Sequence, residues 1–409
     1  MTKSGAKYPS VNPIFRPFFS CVNFFFYLRD IKIKTIKNYI MINVFHIVSS
    51  KTWGGAERYA SDLVARMRHD PDYYVEVVSA KNDDIIEQFQ KMDIPVSILP
   101  LKGIRDFDSP VRLARMLRKG KNIVHVHTYR DAVTAVMARI ISDNPNTKVV
   151  FTPHSLKKPT FNYVSKKVYN NIDQYVFVSQ FAYDYFIAHA APRLKKSVAS
   201  VIPESVLNTD TSAQAPVPDL HKELKMTPEQ SLIMFHSRLN KDKGVDVLLK
   251  AIKEVDRDRY HLVILGEGQD KAVQRIKSYI VENKLVHNVH LLGFQRNMHG
   301  YLWQCDFGVQ PSTIAEMQGI SNLEYMKQGK PIITTNNGAQ CEYVRDMENG
   351  ILVKPNNVEQ LTEAINTLIN DRDLTQRLGR QAKRDFDTRL NYDKFYEKIT
   401  SLYSHLIGN

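Results

Sequence analysis

The sequence predicts an α/β protein built from two doubly wound parallel sheets that face each other across a cleft. Short apolar runs alternate with helical stretches from Met41 onward, as expected for βαβ units. A polar segment rich in Pro, Ala, Ser and Thr, residues 207–218, interrupts this alternation, which then restarts. The length of 409 residues also exceeds what one hydrophobic core normally serves. These observations together predict two domains.

The same pattern sets the expected boundaries. We predict an N-terminal extension (1–40), a first domain (41–206), a linker (207–218), a second domain (219–390) and a final helix (391–409). The final helix follows the last strand of both sheets.

Apolar runs of strand length place the sheets along the chain. In the first domain they predict strands at residues 44–48, 75–78, 123–127, 148–152, 175–178 and 200–203. In the second domain they predict strands at residues 231–235, 261–265, 289–293, 307–309, 331–335 and 351–353. Ligands of such sheets bind beyond the carboxyl ends of the strands, so the cleft between the domains is the expected site.

Composition limits the compartment and the partners. Cys21, Cys305 and Cys341 have no metal-ligand spacing and cannot all pair, which favours a reducing compartment such as the cytoplasm. The formal charge of +13 fits anionic partners such as nucleotides or an acidic membrane surface. No basic run interleaved with aromatic residues or DNA-binding motif occurs, so nucleic acid is not an expected partner. The sequence contains no run of about 18 apolar residues, so no helix that spans a membrane is predicted.

The first 40 residues are rich in aromatic side chains and leave three interpretations open. They form a segment that lies on the membrane surface, an extra layer of structure, or a stretch that arises from a start codon placed too early. Met41 directly precedes a strand, which favours the third interpretation. A signal peptide fits poorly, because Arg16 and Pro17 interrupt the apolar stretch.

The segment between Glu316 and Glu324 is the centre of the predicted site. It follows a strand of the second domain, contains Gly319, and leads into a helix predicted at residues 323–328. Free N–H groups at a helix start bind phosphate, and flanking carboxylates accept hydrogen bonds from hydroxyl groups. Phosphate flanked by hydroxyls describes a nucleotide sugar. Taken alone, the segment equally fits a capping carboxylate beside an ordinary solvated glutamate.

Two cations follow the first strand of the second domain. Arg238 and Lys243 lie in a loop that leads to a predicted helix at residues 245–255. Such a loop suits diphosphate, because fixed cations stabilise the charge that grows on a leaving group. Both side chains also fit ordinary surface cations. Gly266 and Gly268 permit a close backbone approach to a ligand, but a third glycine is missing, so the turn is no dinucleotide fingerprint.

The first domain offers a small-residue turn and two histidines. Gly54 and Gly55 join a strand to a helix, which allows a ligand to approach the helix N-terminus, although a tight turn without a ligand fits equally. His154 and His127 each end a strand on the cleft rim. His154 is the better candidate for bonding a sugar hydroxyl, and a structural histidine remains the alternative for both.

The sequence predicts no metal site and no cofactor. The two Asp-x-Asp pairs, at residues 256–258 and 371–373, lie at helix ends away from the predicted strand tips. Arg238, Lys243 and the helix dipole would then neutralise a diphosphate without a divalent ion.

Taken together, these residues resemble the retaining glycosyltransferases of family 4, whose two Rossmann-like domains form the GT-B fold. The most specific element is Glu316 and Glu324 with seven residues between them, followed by Gly329-Lys330-Pro331. Further elements match in order along the chain from about Met41: Gly54-Gly55-Ala56-Glu57, Arg238-Leu239, Lys243-Gly244, Gly293-Phe294, Asp306, Pro311-Ser312 and Asn349-Gly350.

The resemblance implies a role for each position. Glu316 would contact the donor sugar, and Glu324 would hold the ribose hydroxyls. Gly319, Ile320 and Ser321 would offer N–H groups to the donor. The remaining donor-side residues would be Arg238 and Lys243 on the diphosphate, Gly55 beside the phosphates, and His154 facing the reacting sugar. Gly54, in the same turn as Gly55, and Gly266, which permits close approach to the base or phosphate, are further donor-binding candidates from the residues themselves.

Two departures from the family pattern put the sugar-side contacts in doubt. Gln318 stands where an aromatic residue is common, and residues 202–206 replace a common Asn-Gly-Val. The expected activity is a metal-independent transfer, with retention, of a hexose-type sugar from a UDP- or GDP-sugar. The expected acceptor is a glycan or lipid-linked glycan precursor of the cell surface, reached from the cytoplasm or the inner face of the membrane. A nucleotide-sugar epimerase and a non-catalytic nucleotide-sugar-binding protein remain alternatives.

Overall fold

The computed structural model describes most of the chain from Met41 onward. The described residues are 41–50, 52–156, 158–159, 162–190, 198–207 and 216–408. The predicted N-terminal extension and most of the predicted linker lie outside them.

The first lobe is a parallel sheet of seven strands within the described residues. Its strands are β1 Ile42–Val48, β2 Tyr73–Ser79, β3 Val96–Ile98, β4 Lys121–Val126, β5 Thr147–Phe151, β6 Gln174–Phe177 and β7 Ala199–Val201. Its helices are α1 Gly55–Met67, α2 Asp83–Gln90, α3 Asp108–Leu117, α4 Tyr129–Ser142, α5 Tyr163–Asn170 and α6 Gln180–Ala190. The strand order is β3-β2-β1-β4-β5-β6-β7.

The second lobe repeats this architecture with six parallel strands among the residues described. Its strands are β8 Ser231–His236, β9 Tyr260–Leu265, β10 Val289–Gly293, β11 Phe307–Gln310, β12 Ile332–Thr335 and β13 Gly350–Val353. Its helices are α7 Leu220–Glu223, α8 Val245–Lys253, α9 Asp270–Glu282, α10 Met298–Gln304, α11 Ile320–Lys327, α12 Val358–Asn370 and α13 Arg372–Asp385. The strand order is β10-β9-β8-β11-β12-β13.

Each sheet is covered on both faces, as β8 illustrates. Ile233 and Phe235 pack into one apolar core, which contains residues of α8 and α12. Leu232 and Met234 point to the opposite face and pack into a second core, which contains residues of α11. Alternating strand residues therefore serve two cores, because successive side chains leave a strand on opposite faces. The predicted doubly wound α/β fold is confirmed.

Two local predictions were incomplete. The short strand β3 was missed because it lies at the sheet edge, pairs with β2 alone and spans only three residues. The helix after Gly319 was placed too late: α11 begins at Ile320, and Gly319 is its N-cap. Position 319 has φ of 77°, a left-handed conformation that glycine adopts readily and that starts the helix directly behind it.

The last helix, α14 Tyr392–Gly408, leaves the second lobe and packs on the first. A π-helical turn, Phe386–Leu390, precedes it. Ile399 and Tyr403 belong to the apolar core of the first lobe. The last helix also forms a hydrogen bond to the first lobe: the Tyr396 hydroxyl donates to the Asp70 carboxylate at 2.8 Å.

Strand order also fixes the place where a ligand can bind. In each sheet the chain runs outward in both directions from two central neighbours, β1 and β4 in the first lobe and β8 and β11 in the second. A crevice opens beyond the carboxyl ends of such strands, where the order reverses. The loops that follow β1, β4, β8 and β11 carry most of the residues that the sequence singled out.

Candidate active site

The turn before α11 presents backbone N–H groups at the end of β11. The Tyr343 hydroxyl donates to the Gln318 carbonyl at 2.5 Å and lies 3.1 Å from the Gly319 carbonyl, which holds the turn in place. The N–H groups of Ile320 and Ser321 have no backbone or side-chain acceptor in the described part of the chain. The start of α11 therefore offers donors and the positive end of a helix dipole to an anion.

Glu316 is held by a cation and a hydroxyl. The Lys243 ammonium donates to Glu316 Oε1 at 2.6 Å, and the Ser312 hydroxyl donates to the same oxygen at 2.6 Å. The backbone carbonyl of Glu316 accepts from the Ala339 N–H at 2.9 Å. The structure thus brings Lys243 and Glu316 together as an ion pair.

Glu324 is held by a cation from the other lobe. A guanidinium nitrogen of Arg58, on α1, lies 2.8 Å from Glu324 Oε1, and His236 Nε2 lies 3.4 Å from Oε2. Burial alone would raise the pKa of Glu324, but the charge of Arg58 and the hydrogen bond from it outweigh burial and lower that pKa. Glu324 is therefore a buried carboxylate that stays ionised, and Arg58 occupies one oxygen of the carboxylate that is expected to hold ribose.

Unlike Lys243 and Arg58, Arg238 has no carboxylate partner among the described residues. It lies on the loop after β8, is exposed, and forms no ion pair with any described residue. Two contacts fix the backbone around it: the Leu239 N–H donates to the Glu267 carbonyl at 2.7 Å, and the Ser321 hydroxyl donates to the His236 carbonyl at 3.1 Å. Arg238 is thus a cation on a held loop beside the start of α11, available to an incoming anion.

Two carboxyl groups beside Arg58, the half-buried Asp62 and the buried Glu204, were missed in the sequence. Asp62 lies one helical turn after Arg58, with 3.8 Å between the charged groups. Burial raises the pKa of Asp62 to about 6, and burial together with the charge of Asp62 raises the pKa of Glu204 to about 8. The only local signal was the spacing of Arg58 and Asp62 on a helix that begins at Gly55. Glu204 lies in the segment that departs from the family pattern.

Glu204→Gln is expected to make the protein more resistant to alkaline pH. A carboxyl whose pKa rises from 4.5 to about 8 on folding holds a proton that the unfolded chain releases between those values. Stability should therefore fall as pH rises through this window, and glutamine should remove that dependence. Urea unfolding at about pH 5 and about pH 8 measures the effect. If the unmodified protein and Glu204→Gln lost the same stability between the two pH values, the raised pKa of Glu204 would be contradicted. Glu348→Gln, on an exposed turn, is the matched control.

The lobes touch through the same segments. The Ser179 hydroxyl donates to the Met317 carbonyl at 2.5 Å, and the Gln318 side-chain amide donates to the Glu204 carbonyl at 3.0 Å. The Glu342 carboxylate accepts from the first two N–H groups of α6, at 3.0 and 2.7 Å. The chain from Glu316 to Ser321 therefore lies at the junction of the two lobes. The two departures from the family pattern contact each other there.

The first-lobe candidates follow three strands of the first sheet, β1, β4 and β5. Gly54 caps α1, and an added Cβ at Gly55 would meet nothing within 4 Å. His127 and His154 follow β4 and β5, and His127 Nδ1 lies 3.3 Å from His154 Nε2. Burial lowers the pKa of His154 to about 3, so its ring is neutral at physiological pH.

Gly266 has a packing reason that does not involve a ligand. Its φ is 137°, and an added Cβ would overlap the carbonyl oxygen of Ser237. Glycine is therefore required there for the loop after β9 to pack against the loop after β8. Gly266 lies beside the Arg238 loop, and its contact with a nucleotide stays a prediction.

Gly319→Ala and Gly55→Ala form a contrasting pair. Alanine at 319 would be strained in the left-handed region and would bring Cβ within 2.7 Å of the Tyr343 hydroxyl, so we expect a loss of stability. That loss should be about 1–3 kcal/mol.

Alanine at position 55 would meet no atom within 4 Å and would favour the helix, so the stability of Gly55→Ala should hold or rise while binding of the donor is hindered. Urea unfolding and donor titration of both variants separate these effects. Unchanged donor affinity in Gly55→Ala would contradict its predicted place beside the phosphates.

Metal-ligating side chains do not cluster in the described ranges. No group of three or more His, Cys, Asp or Glu residues there is arranged to hold a metal ion. A candidate membrane span is likewise absent from the helices described.

Two family models match the chain, one on each lobe. The model described as Glycosyltransferase Family 4 matches residues 53–206. The model described as Glycosyl transferases group 1 matches residues 217–385. The matched ranges contain the Gly54-Gly55 turn in the first lobe and the Glu316–Glu324 segment in the second.

Curated relatives match over part of their length. An uncharacterized glycosyltransferase of Methanocaldococcus jannaschii is 34% identical over 166 residues, which cover 40% of this chain and 45% of that protein. The lipopolysaccharide 1,2-N-acetylglucosaminetransferase of Salmonella typhimurium is 24% identical over 243 residues, which cover 57% of this chain and 61% of that protein. The chain thus spans about half the length of these curated relatives.

A solved structure shares the two-lobed architecture. HepE of Anabaena, in complex with UDP, aligns with a TM-score of 0.77 at 20% identity, over 89% of this chain and 100% of that one. At this identity the likeness concerns the fold. Together with the family models on both lobes, it shows that the chain belongs to the family 4 type of glycosyltransferases with the GT-B fold.

Proposed function

We propose that the protein is a retaining glycosyltransferase that moves a hexose-type sugar from a UDP- or GDP-sugar to a glycan or lipid-linked glycan precursor of the cell surface. One observation carries this proposal. Glu316 and Glu324 bracket the start of α11 at the lobe junction, and each is bound by a cation, Lys243 or Arg58. A site with ionised carboxylates, cations and free N–H groups suits a ligand that combines hydroxyls with phosphates.

Donor binding follows from this arrangement. The diphosphate would lie against the start of α11, with Arg238 and Lys243 as its cations. The ribose hydroxyls would donate to Glu324 and displace Arg58, and the sugar hydroxyls would donate to Glu316. UDP in the complex of the Anabaena relative supports a uridine donor, while the base contacts that would choose between UDP and GDP are left to experiment.

Transfer requires charge stabilisation more than a protein nucleophile. The bond between the anomeric carbon and the phosphate oxygen breaks, and its electron pair stays on the diphosphate. An acceptor hydroxyl forms the new bond on the same face of the sugar, and its proton passes to the departing phosphate oxygen. Arg238, Lys243 and the N–H groups of α11 stabilise the growing negative charge, and neutral His154 donates a hydrogen bond to the sugar. These cations are the basis for proposing a reaction that needs no metal.

An exposed basic and apolar surface on the first lobe supports a membrane-associated acceptor. Around the turn Gly103–Arg105 and α3, Phe107 is 73% exposed and Ile104 is 53% exposed. The same stretch of chain contains six exposed cations and one exposed carboxylate, Asp108, which pairs with Arg112 at 3.5 Å. The cations are Lys102, Arg105, Arg112, Arg115, Arg118 and Lys119. Such a surface suits acidic lipid headgroups, to which each cation near the membrane contributes about 1 kcal/mol. We therefore place the reaction at the inner face of the membrane.

Binding to anionic vesicles should fall steeply with added salt. The attraction is electrostatic and screened over a Debye length, whereas the insertion of Phe107 is not screened. Phe107→Ser should therefore lower the binding that persists at high salt, and Val281→Ser, an exposed apolar residue of the second lobe, should not. Vesicle co-sedimentation measures both effects. Salt-insensitive binding, or equal binding to vesicles of neutral lipid, would contradict the assignment.

An epimerase is the second candidate, because one observation favours it. Asp62 and Glu204 are carboxyl groups with raised pKa values near Glu324, and epimerisation needs additional acid and base groups. An epimerase would release an altered free nucleotide sugar without any acceptor. A transferase would release the nucleoside diphosphate only as the acceptor is glycosylated.

A panel of UDP-, GDP- and ADP-sugars tests the proposal. Binding is measured first by calorimetry, and the bound donors are then followed by NMR with and without glycan-lipid acceptors. Transfer with an unchanged anomeric configuration would support the proposal. An epimerised nucleotide sugar without acceptor would support the alternative, and binding without turnover in every acceptor assay would favour a non-catalytic binding protein.

A further inference from the structure

Three imidazoles form a line of hydrogen bonds that ends at the cleft. His46 Nδ1 lies 3.2 Å from His127 Nε2, and His127 Nδ1 lies 3.3 Å from His154 Nε2. The sheet builds this line: register pairs His46 on β1 with His125 on β4, and His127 follows two residues later on the same side. His154 follows β5, the next strand of the sheet.

The three rings are neutral, so each has one N–H group. Burial lowers the pKa of His46 and of His154 to about 3, and burial lowers the pKa of His127 well below its usual range. In a line of neutral imidazoles, every donor nitrogen must face an acceptor nitrogen. The three rings must therefore share one tautomer: either all have the proton on Nδ1, or all have it on Nε2.

The inner end of the line favours protons on Nδ1. His46 Nε2 is buried and has no hydrogen-bond partner among the residues described. Protons on Nε2 would leave an unpaired N–H there, and buried N–H groups without a partner are rare in native proteins. At the outer end, His154 is half-buried, and its Nδ1 has no hydrogen-bond partner among the described residues, which leaves that nitrogen available to a ligand.

We propose that His46 and His127 are positioning residues that hold His154 as the Nδ1–H tautomer, so that Nδ1 donates to an oxygen of the reacting sugar. This inference rests on the proposed glycosyltransferase function and assigns roles to two residues that do not reach the substrate. A donor fixed in advance stabilises developing charge without reorganising during the reaction.

The line is not a route for protons. Moving a proton outward from His154 would require another to enter at His46 Nε2, where no described group can supply one. His125 stays outside the line, because its ring nitrogens face Tyr403 of α14 at 2.5 Å and Thr152 at 2.7 Å. It packs against the line, with 4.7 Å between its ring centroid and that of His127. His125 thus supports the line from the side.

Tautomer-resolved NMR of the full chain, labelled with ¹⁵N-histidine, tests the proposal without any substrate. Two-bond proton–nitrogen spectra should show a protonated Nδ1 for His46, His127 and His154. His46→Asp places a carboxylate acceptor where His46 Nδ1 donates, so the line should reverse and His127 and His154 should have the proton on Nε2. In assays with an active nucleotide-sugar donor, kcat should then fall about tenfold while KM changes little. This loss is smaller than the loss caused by removing a stabilising hydrogen-bond donor itself. His46→Asn restores a donor at the position of Nδ1 and should recover most of both readouts.

Two results would overturn the proposal: protons on Nε2 of the three rings in the unmodified protein, or an unchanged His154 tautomer in a folded His46→Asp variant. If His46→Asp does not fold, the spectra of the unmodified protein and of His46→Asn still decide. Failure of this proposal can also be distinguished from failure of the proposed glycosyltransferase function. If the Nδ1 nitrogens are protonated but the protein transfers no sugar, His46 and His127 still fix the tautomer of His154. The hydrogen bond from His154 to a sugar would then be rejected.

Discussion

Replacing Arg238 with alanine is expected to lower turnover by about two or more orders of magnitude, on the scale of removing one charge-stabilising donor. Lys243 and Arg58 neutralise Glu316 and Glu324, whereas Arg238 forms no ion pair with a described residue. Its charge is therefore fully available to the departing diphosphate. Because the side chain is exposed and unpaired, its removal should leave the unfolding midpoint unchanged.

Arg377→Ala is the matched control for this experiment. Arg377 is also exposed in the second lobe, on α13, and its loss changes the net charge by the same amount. Initial rates and thermal unfolding of both variants separate catalysis from folding and from overall charge. Turnover of Arg238→Ala within a few-fold of the unmodified protein would remove Arg238 from the mechanism.

Replacing Glu324 with alanine is expected to weaken donor binding by about ten- to a hundredfold, which corresponds to the loss of hydrogen bonds to a charged group. The carboxylate is buried and stays ionised, so the ribose hydroxyls would meet an acceptor whose charge is not shielded by water. Calorimetric titration with the nucleoside diphosphate alone measures this effect. It isolates the ribose contact, because no sugar is present to bind Glu316.

Arg58→Ala gives the contrasting result. Arg58 bonds one of the two carboxylate oxygens of Glu324, so it would compete with the ribose hydroxyls for this group. Its removal frees that oxygen but also removes the charge that lowers the pKa of Glu324, so the titration is made at alkaline pH, where Glu324 stays ionised. Donor affinity there should be equal or higher, opposite in direction to the effect of Glu324→Ala. Donor binding that weakens equally in both variants would show that Arg58 and Glu324 act together as ligands, and the competition would then be rejected.

The contact between the two departures from the family pattern helps to explain both. Gln318 replaces a common aromatic residue, and its amide donates to the backbone of Glu204 in the other lobe. Glu204 in turn adds a buried carboxyl next to Arg58 and Asp62. The sequence marked these positions as separate oddities, whereas the structure shows one interlobe contact beside the site.

Local pattern was sufficient for the elements and for the residues of the second lobe. Strands and helices follow from hydrophobic periodicity, which depends on neighbours within a few residues. Glu316, Gly319 and Glu324 lie on one short segment, and Arg238 and Lys243 lie on another, so their grouping could be inferred before any fold was known. The three-residue edge strand β3 was missed because so short a run carries little periodicity.

The sequence by itself determined two α/β lobes, the loop that begins α11, and the charged residues around it. Only the tertiary structure decided that Arg58 neutralises Glu324, that Gln318 bonds the other lobe, and that His46, His127 and His154 form one line. The physical reason is the range of the interactions. Strand and helix patterns are set by adjacent residues, whereas these contacts depend on strand order, register and the docking of one lobe on the other, which leave no periodic trace along the chain.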